Sequence, residues 1–384
     1  MQKQKRAVVA GHICLDLTPQ FPPKKGKEIG DILSPGKLIH MDGIDIHTGG
    51  AVANTGLAMK KLGMDVALMG KVGSDEFGSL VLHILSGYGS GKEMKAAPDS
   101  STSYSIVLAI PGIDRIFLHN PGANDTFGME DVDWETVAGA WLFHFGYPPL
   151  MKKMYENDGE ELAALFRRVK ELGTATSLDL ASVDPASDAG KADWDAILKK
   201  TLPYVDFFLP SIEELGFMLD RQRYQRWADK ANGGEITDVV AMDDVRGLAE
   251  KALSYGAKAV VVKCGAPGMY YKTSARAVME PLCVQLELSV EEWAEQEGFE
   301  RSYVPEKVLS GTGAGDTSIA AFLSAVLEGE SLEEAMQLSA ATGACCVAAY
   351  DALSGLKPLA ELKEKIADGW EKNSFIIEGD EKSC

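Results

Sequence analysis

The stretch from Ser310 to Asp316, reading Ser-Gly-Thr-Gly-Ala-Gly-Asp, is the part of the chain best equipped for chemistry. Gly313-Ala314-Gly315 leaves the backbone unencumbered. The residues after it place Ile319, Phe322, Leu323, Val326 and Leu327 at the spacing of one helix face. A glycine-rich turn that opens a helix presents unbonded N–H groups with the positive end of the helix dipole behind them, which makes an anion hole. Asp316 stands at the same spot. An aspartate there often does no more than cap the helix, and it would repel a bound anion. The pairing makes chemical sense if the carboxylate takes a proton while the amides hold developing negative charge. Phosphoryl transfer to a hydroxyl makes both demands at once. From these residues alone, base and cap both stand.

Other glycine patterns fail on inspection. Ser86-Gly-Tyr-Gly-Ser-Gly-Lys92-Glu93 has Ser86 where a P-loop needs its first glycine, and Glu93 where it needs a hydroxyl. Gly311-Thr-Gly313-Ala-Gly315-Asp316 places an aspartate where a dinucleotide fingerprint needs its third glycine, far from the first strand. No serine is flanked by glycines two residues away on both sides, so there is no nucleophile elbow. The six histidines show no ligand spacing, which argues against a zinc site. The six cysteines form no C-x-x-C pair. Reduced thiols in a cytoplasmic protein are expected.

These residues need a frame. Short apolar runs at Ala7–Ala10, Val66–Gly70, Tyr104–Ile110, Trp141–Gly146, Thr176–Leu180, Val205–Leu209 and Ala259–Lys263 read as strands. Several are apolar throughout, as in a sheet covered on both faces. Helical periodicity falls between them, at Ala51–Leu62, Glu160–Leu172, Ile212–Leu219, Asp243–Tyr255, Thr317–Leu327 and Leu332–Ala349. The length allows one large or two ordinary domains, and the alternation predicts a doubly wound, mostly parallel α/β sheet. Two segments, about residues 12–48 and 100–125, break it. The first is rich in Gly and Pro. The second reads as two strands joined at Pro111-Gly-Ile-Asp114. Both suit a small sheet outside the main one, either a flap over a cleft or an ordinary β-extension. Arg221–Asp244 and the Glu-rich Leu286–Ser302 read as solvated surface, and the charged tail after Trp370 is expected to fray.

Composition narrows the partners. At 46% hydrophobic and 25% charged, the 384 residues describe a folded globular chain, with a net charge of −19. So acidic a surface disfavours nucleic acid and anionic membranes, and no basic patch offsets it. No apolar run has the length of a membrane span. The opening Met1–Leu15 has no small-residue cleavage site behind it and reads as the first strand, not a signal peptide.

Gly313-Ala-Gly-Asp316 with its following helix resembles the C-terminal signature of the ribokinase-like (PfkB-type) carbohydrate kinases. His47-Thr-Gly-Gly-Ala-Val-Ala-Asn54, continuing to Gly63, and then Gly70–Gly78, are similar to that family's N-terminal signature. Weaker matches lie at Gly11–Asp16, Pro121–Asn124, Leu209–Glu214 and Val260–Gly268. The resemblance implies a single domain over residues 1–384, an α/β/α sandwich with a small β-sheet lid, using ATP and Mg2+ to phosphorylate a hydroxyl, the primary one, of a sugar or sugar acid. It implies Asp316 as base and the backbone of Gly313, Ala314 and Gly315 as anion hole. It places Asp16, Gly49, Gly50, Asn54, Arg115 and Asn124 around the acceptor. Lys263, Cys264, Gly265, Gly268, Ser211 and Glu214 fall near the nucleotide. The resemblance further implies that no residue ligates the metal directly, magnesium being bridged by the phosphates with Glu214 acting through water.

Three departures stand out. Ser310-Gly311-Thr312 replaces the usual Asp-Thr-Thr, which puts a monovalent cation in doubt. Ser211 replaces an asparagine. Two excursions, 221–244 and 281–304, exceed the usual length. A nucleoside acceptor, with Phe117, Tyr104, His119 and Asn120 as lid-side candidates, and a non-catalytic binder are the alternatives. Unpaired edges of lid strands raise the expectation of a homodimer formed through them.

Overall fold

The computed structural model describes residues 4–22, 29–110, 116–375 and 377. Its strands, in chain order, are β1 (Gln4–Gly11), β2 (Cys14–Gln20), β3 (Gly43–Gly49), β4 (Asp65–Met69), β5 (Lys71–Gly73), β6 (Lys95–Ala97) and β7 (Tyr104–Leu108). They continue as β8 (Ile116–Asn120), β9 (Ala140–Gly146), β10 (Ala175–Leu178), β11 (Phe207–Phe208), β12 (Ala259–Lys263), β13 (Gly268–Thr273) and β14 (Glu297–Arg301). Eight form the main sheet in the order β14-β13-β12-β11-β10-β9-β1-β4. From β12 to β4 every neighbour is parallel; β13 and β14 are antiparallel.

The apolar runs explain this sheet. Side chains alternate across a strand, so a strand covered on both faces must be apolar at every position. On β1, Ala7 and Val9 join one core with the Ala51–Lys61, Ala314–Glu328 and Leu332–Cys346 helices. Val8 and Ala10 join the other, with the Glu160–Glu171, Ile212–Leu219 and Met242–Ser254 helices. The two helix layers make the sandwich.

The segments that broke the alternation form a separate four-stranded sheet, β3-β2-β7-β8, in which β2 and β7 run parallel. It hangs from the carboxyl end of β1 through Gly11, whose φ of 122° and close approach to the Gly146 carbonyl leave no room for a side chain. Ile44, Ile46, Phe117 and Leu118 on this sheet are exposed. The expected turn at Pro111–Asp114 lies outside the described residues.

Three expectations need correction. The Glu-rich 286–302 stretch is not only surface, because Glu297–Arg301 is the edge strand β14. It carries no apolar run because an edge strand has one ladder to fill and faces water elsewhere. The tail after Trp370 does not fray at 371–373. Glu371 accepts from Val304 N–H (2.9 Å), and Asn373 N–H donates to the Ser302 carbonyl (2.8 Å). The 221–244 excursion also contributes to the core: its Arg221–Ala231 helix buries Trp227 over Gly216. Among the described residues no helix is long and apolar enough to cross a membrane.

Candidate active site

Ligands of open parallel sheets bind beyond the carboxyl ends of the strands. Here the loops leaving β1, β9, β10 and β11 carry His12, Tyr147, Asp179 and Ser211 at that edge, and β12 ends there on Lys263. The 314–328 helix points its N-terminus toward them. Gly313 precedes it in the left-handed region (φ 75°), packed where a Cβ would overlap Ala352, so glycine is required twice over. Among the described residues nothing accepts from the N–H groups of Gly313, Gly315 or Asp316. Ala314 is the exception in the expected anion hole: its N–H turns back to the Gly311 carbonyl (3.3 Å).

Asp316 does not cap its helix; no side-chain cap bond exists there. Its carboxylate is held from outside the helix. Tyr147 Oη donates to Oδ1 (2.7 Å) and Asn54 Nδ2 to Oδ2 (3.0 Å). The residue is 5% exposed. Burial pushes its carboxyl above the ordinary range, against the lowering effect of Tyr147, Asn54 and the Lys263 ammonium.

Two cavities meet at this point. One, of about 850 Å³, is lined by Asp16, His47, Asn54, Phe117 and Ser310 among others. The second, of about 390 Å³, is lined by Lys263, Gly265, Gly268, Tyr303, Ala314 and Gly315 among others. Val308 and Gly311 border both. Asp316 lines neither; its neighbours Asn54 and Gly315 face one cavity each, which puts the carboxylate in the partition.

On the larger cavity, Asp16 sits on β2 between His47 of β3 and Ser105 of β7. Burial pushes its carboxyl up, against hydrogen bonds from Cys14 and Ser105. A Cβ at Gly49 would overlap that carboxylate, and one at Gly50 (φ 84°) would crowd the buried His12 ring. Gly49 and Gly50 thus make room for side chains opposite them. Asn54 lines this cavity while giving its Nδ2 to Asp316.

One acceptor-side expectation does not carry over. Asn124 is fully buried, and its amide clamps the Ile13 backbone, accepting from N–H (3.2 Å) and donating to the carbonyl (2.8 Å). Its work is to fasten the small sheet to the core. Arg115 lies outside the described residues. Of the aromatic candidates, Phe117 borders the cavity, whereas Tyr104 packs edge-on against Phe77 (5.6 Å). His119 pairs with Ser105 Oγ (3.0 Å), and Asn120 donates to Ser101 Oγ (3.2 Å).

On the smaller cavity, Gly265 and Gly268 are lining residues with positive φ (66° and 137°). Cys264 does not reach it: the thiol is buried in the core, set toward the Val262 carbonyl (3.4 Å), and burial pushes it up to about 12. Ser211 and Glu214 form a capping box at the start of the 212–219 helix. Ser211 Oγ accepts from Glu214 N–H (3.2 Å) and Glu214 Oε2 from Ser211 N–H (2.7 Å). Ser211 therefore has a structural task, while the Glu214 charge still raises Asp179 and Asp316.

Lys263 is the cation at the centre. Its Nζ pairs with Asp179 Oδ1 at 2.6 Å, with the side chains 13% and 2% exposed. A Cβ on Gly315 would lie 3.8 Å from that Nζ, so the ammonium stands beside the unbonded amides. Burial, Glu214 and Asp316 push Asp179 up while Lys263 pulls it down. Among the described residues no cluster of three or more His, Cys, Asp or Glu could hold a metal ion.

A family model described as pfkB family carbohydrate kinase matches residues 7–358. This chain belongs to that family. An uncharacterized sugar kinase of Archaeoglobus fulgidus is 26% identical over 78% of this chain and 98% of its own length. Fructokinase-2 of Oryza sativa subsp. japonica is 26% identical over 83% of this chain and 84% of its own. Arabidopsis thaliana ribokinase, solved with ribose and ATP, superposes with a TM-score of 0.68 over 95% of this chain and 98% of that one. At 20% identity it speaks for the fold alone. The pfkB match makes the chain a carbohydrate kinase, a phosphotransferase with an alcohol acceptor.

Tyr147 and Asp179 are the members of the site that motif reading does not reach. Each immediately follows a buried parallel strand, a position that was legible in principle.

Proposed function

We propose that this pfkB family member transfers the γ-phosphoryl group of ATP to a hydroxyl of a sugar or sugar acid, with Asp316 as the base. The observation that carries it is the carboxylate itself. It leaves its own helix uncapped and is held by Asn54 and Tyr147 in the partition between two cavities, beside unbonded amides. The acceptor occupies the larger cavity, where Asp16 and Asn54 take its hydroxyls. ATP occupies the smaller one, with its γ-phosphate at Lys263 and the N–H groups of Gly315 and Asp316.

Asp316 receives the acceptor O–H proton. The acceptor oxygen bonds to the γ-phosphorus, the bond from that phosphorus to the β,γ-bridging oxygen breaks, and ADP leaves. Lys263 and the amides hold the charge spread over the transferring oxygens. Magnesium supplies charge neutralisation on the phosphates when bound. It would be held mostly by the phosphates, with Glu214 acting through water. The small sheet keeps competing water out.

A nucleoside acceptor is the second reading, favoured by Phe117 at the edge of the larger cavity. ADP release measured over a panel of sugars, sugar acids and nucleosides tests both. Acceptor binding without ADP would favour a non-catalytic binder.

Two further outcomes are expected. Gly49→Ala places a methyl group against the Asp16 carboxylate, so the acceptor KM should rise about tenfold or more while the KM for ATP stays put. Steady-state kinetics with each substrate varied checks this. The second concerns pH. A base must be deprotonated to act, and burial raises Asp316. The acid limb of kcat/KM should therefore lie above the ordinary carboxylate range, with activity falling as pH drops through it. Tyr147→Phe removes a hydrogen bond that favours the charged form. It should move that limb further toward neutral pH, read from the profiles of both proteins.

A further inference from the structure

The anchored tail has a consequence for the smaller cavity. Tyr303 and Lys372 form a β-bridge, and the Asn373 amide donates to Ser302 Oγ (2.9 Å) and to the Tyr303 carbonyl (3.1 Å). Lys372 Nζ meets the Glu300 carboxylate at 2.5 Å. The Trp370 ring lies 4.9 Å from that of Tyr303, and its Nε1 donates to the Val304 carbonyl (2.8 Å). This strap brings Asn373 and Phe375 into the cavity wall that Lys263 and Gly315 also line. Of the lining residues Lys263 alone is charged; the rest are small, apolar or neutral, Met269, Val308 and Val347 among them. Such a lining suits a ligand with one anionic end and one flat, weakly polar end. Phe375 borders the cavity yet remains 55% exposed, a large ring with a free face where a planar group can lie.

We infer that residues 371–375 are a wall of the nucleotide-base subsite, with Phe375 laid against the base and Asn373 holding the strap in place. The inference rests on the ATP reading above and extends it to a part of the chain that no signature motif includes. It also gives the 281–304 excursion a task, since its last residues, 302–304, are the strap's anchor.

Titration calorimetry with ATP and with inorganic tripolyphosphate separates the two ends of the ligand. Phe375→Ala should weaken ATP on the order of tenfold and leave tripolyphosphate unchanged, and Phe375→Trp should restore ATP. Asn373→Ala, which removes the side-chain bonds to Ser302 and Tyr303 but keeps the backbone ones, should weaken ATP selectively and to a smaller extent. Melting temperatures close to that of the parent protein show that the variants are folded. Equal ATP affinity in the parent protein and both alanine variants overturns the strap while leaving the kinase reading intact. Equal loss of ATP and tripolyphosphate also overturns it, because the effect would not lie at the base. A parent protein that binds neither ligand removes the ATP reading and this inference with it.

Discussion

Replacing Asp316 with Asn is expected to lower kcat by about 10²–10⁴-fold, the range for loss of a positioned general base, with the KM of each substrate changed only a few-fold. The substitution is close to isosteric, and the surroundings can accept it. Tyr147 Oη still finds an oxygen, and Asn54 can turn its amide to offer an acceptor in place of Nδ2. A neutral group at this position also escapes the burial cost that raises the aspartate. Thermal stability should hold or rise slightly, which separates lost chemistry from lost folding. Steady-state kinetics beside a melting curve decides it. A variant that keeps most of its kcat would return Asp316 to a purely structural role.

Lys263→Met is expected to damage both activity and stability, for different reasons. Turnover should fall by about 10²–10³-fold, the usual cost of removing a charge-stabilising donor from the transferring group. Stability should fall by about 3–5 kcal/mol, because Asp179 is left buried without its partner. With the ammonium gone, burial and the Glu214 and Asp316 charges act on Asp179 unopposed and raise it further. A carboxyl raised in the folded state supports folding below its unfolded pKa, and that support is lost as pH rises through the folded pKa. The stability deficit of Lys263→Met should therefore widen with rising pH. Adding Asp179→Leu should recover most of the stability and flatten its pH dependence without recovering turnover. Denaturant titrations at several pH values, with kinetics on the same samples, check all three points. Recovery of activity in the double variant would show that Lys263 serves only to neutralise Asp179.

Glycine made the site's outline readable from sequence. At Gly49 and Gly313 a side chain would overlap Asp16 or Ala352, so no other residue fits, and such positions stand out in a motif. The buried parallel strands were readable for a similar reason, since both their faces demand apolar residues. What escaped notice depends on contacts between distant segments. Tyr147 reaches Asp316 across 169 positions and Asp179 reaches Lys263 across 84, and neither neighbourhood carries a local pattern. Asn124 looked like a ligand because a polar residue in a lid segment invites that reading; only the fold shows its amide closed on Ile13. Cys264 shared a motif with Lys263, but successive strand residues point to opposite sides, and the thiol faces the core. β14 hid among glutamates because an edge strand needs little apolar surface. The strap at 371–373 looked like a charged end because its anchors reach about 70 positions back, to residues 300–304, and leave no local pattern.

A rapid-quench single turnover with γ-labelled ATP and a competent acceptor tests most directly whether the phosphoryl group crosses the partition at Asp316. In the parent protein the label should pass to the acceptor hydroxyl, with little released to water. In Asp316→Asn the ATP should bind yet keep its label over the same time. Transfer at an undiminished rate in the variant, or label passing to water alone in the parent protein, would contradict the account.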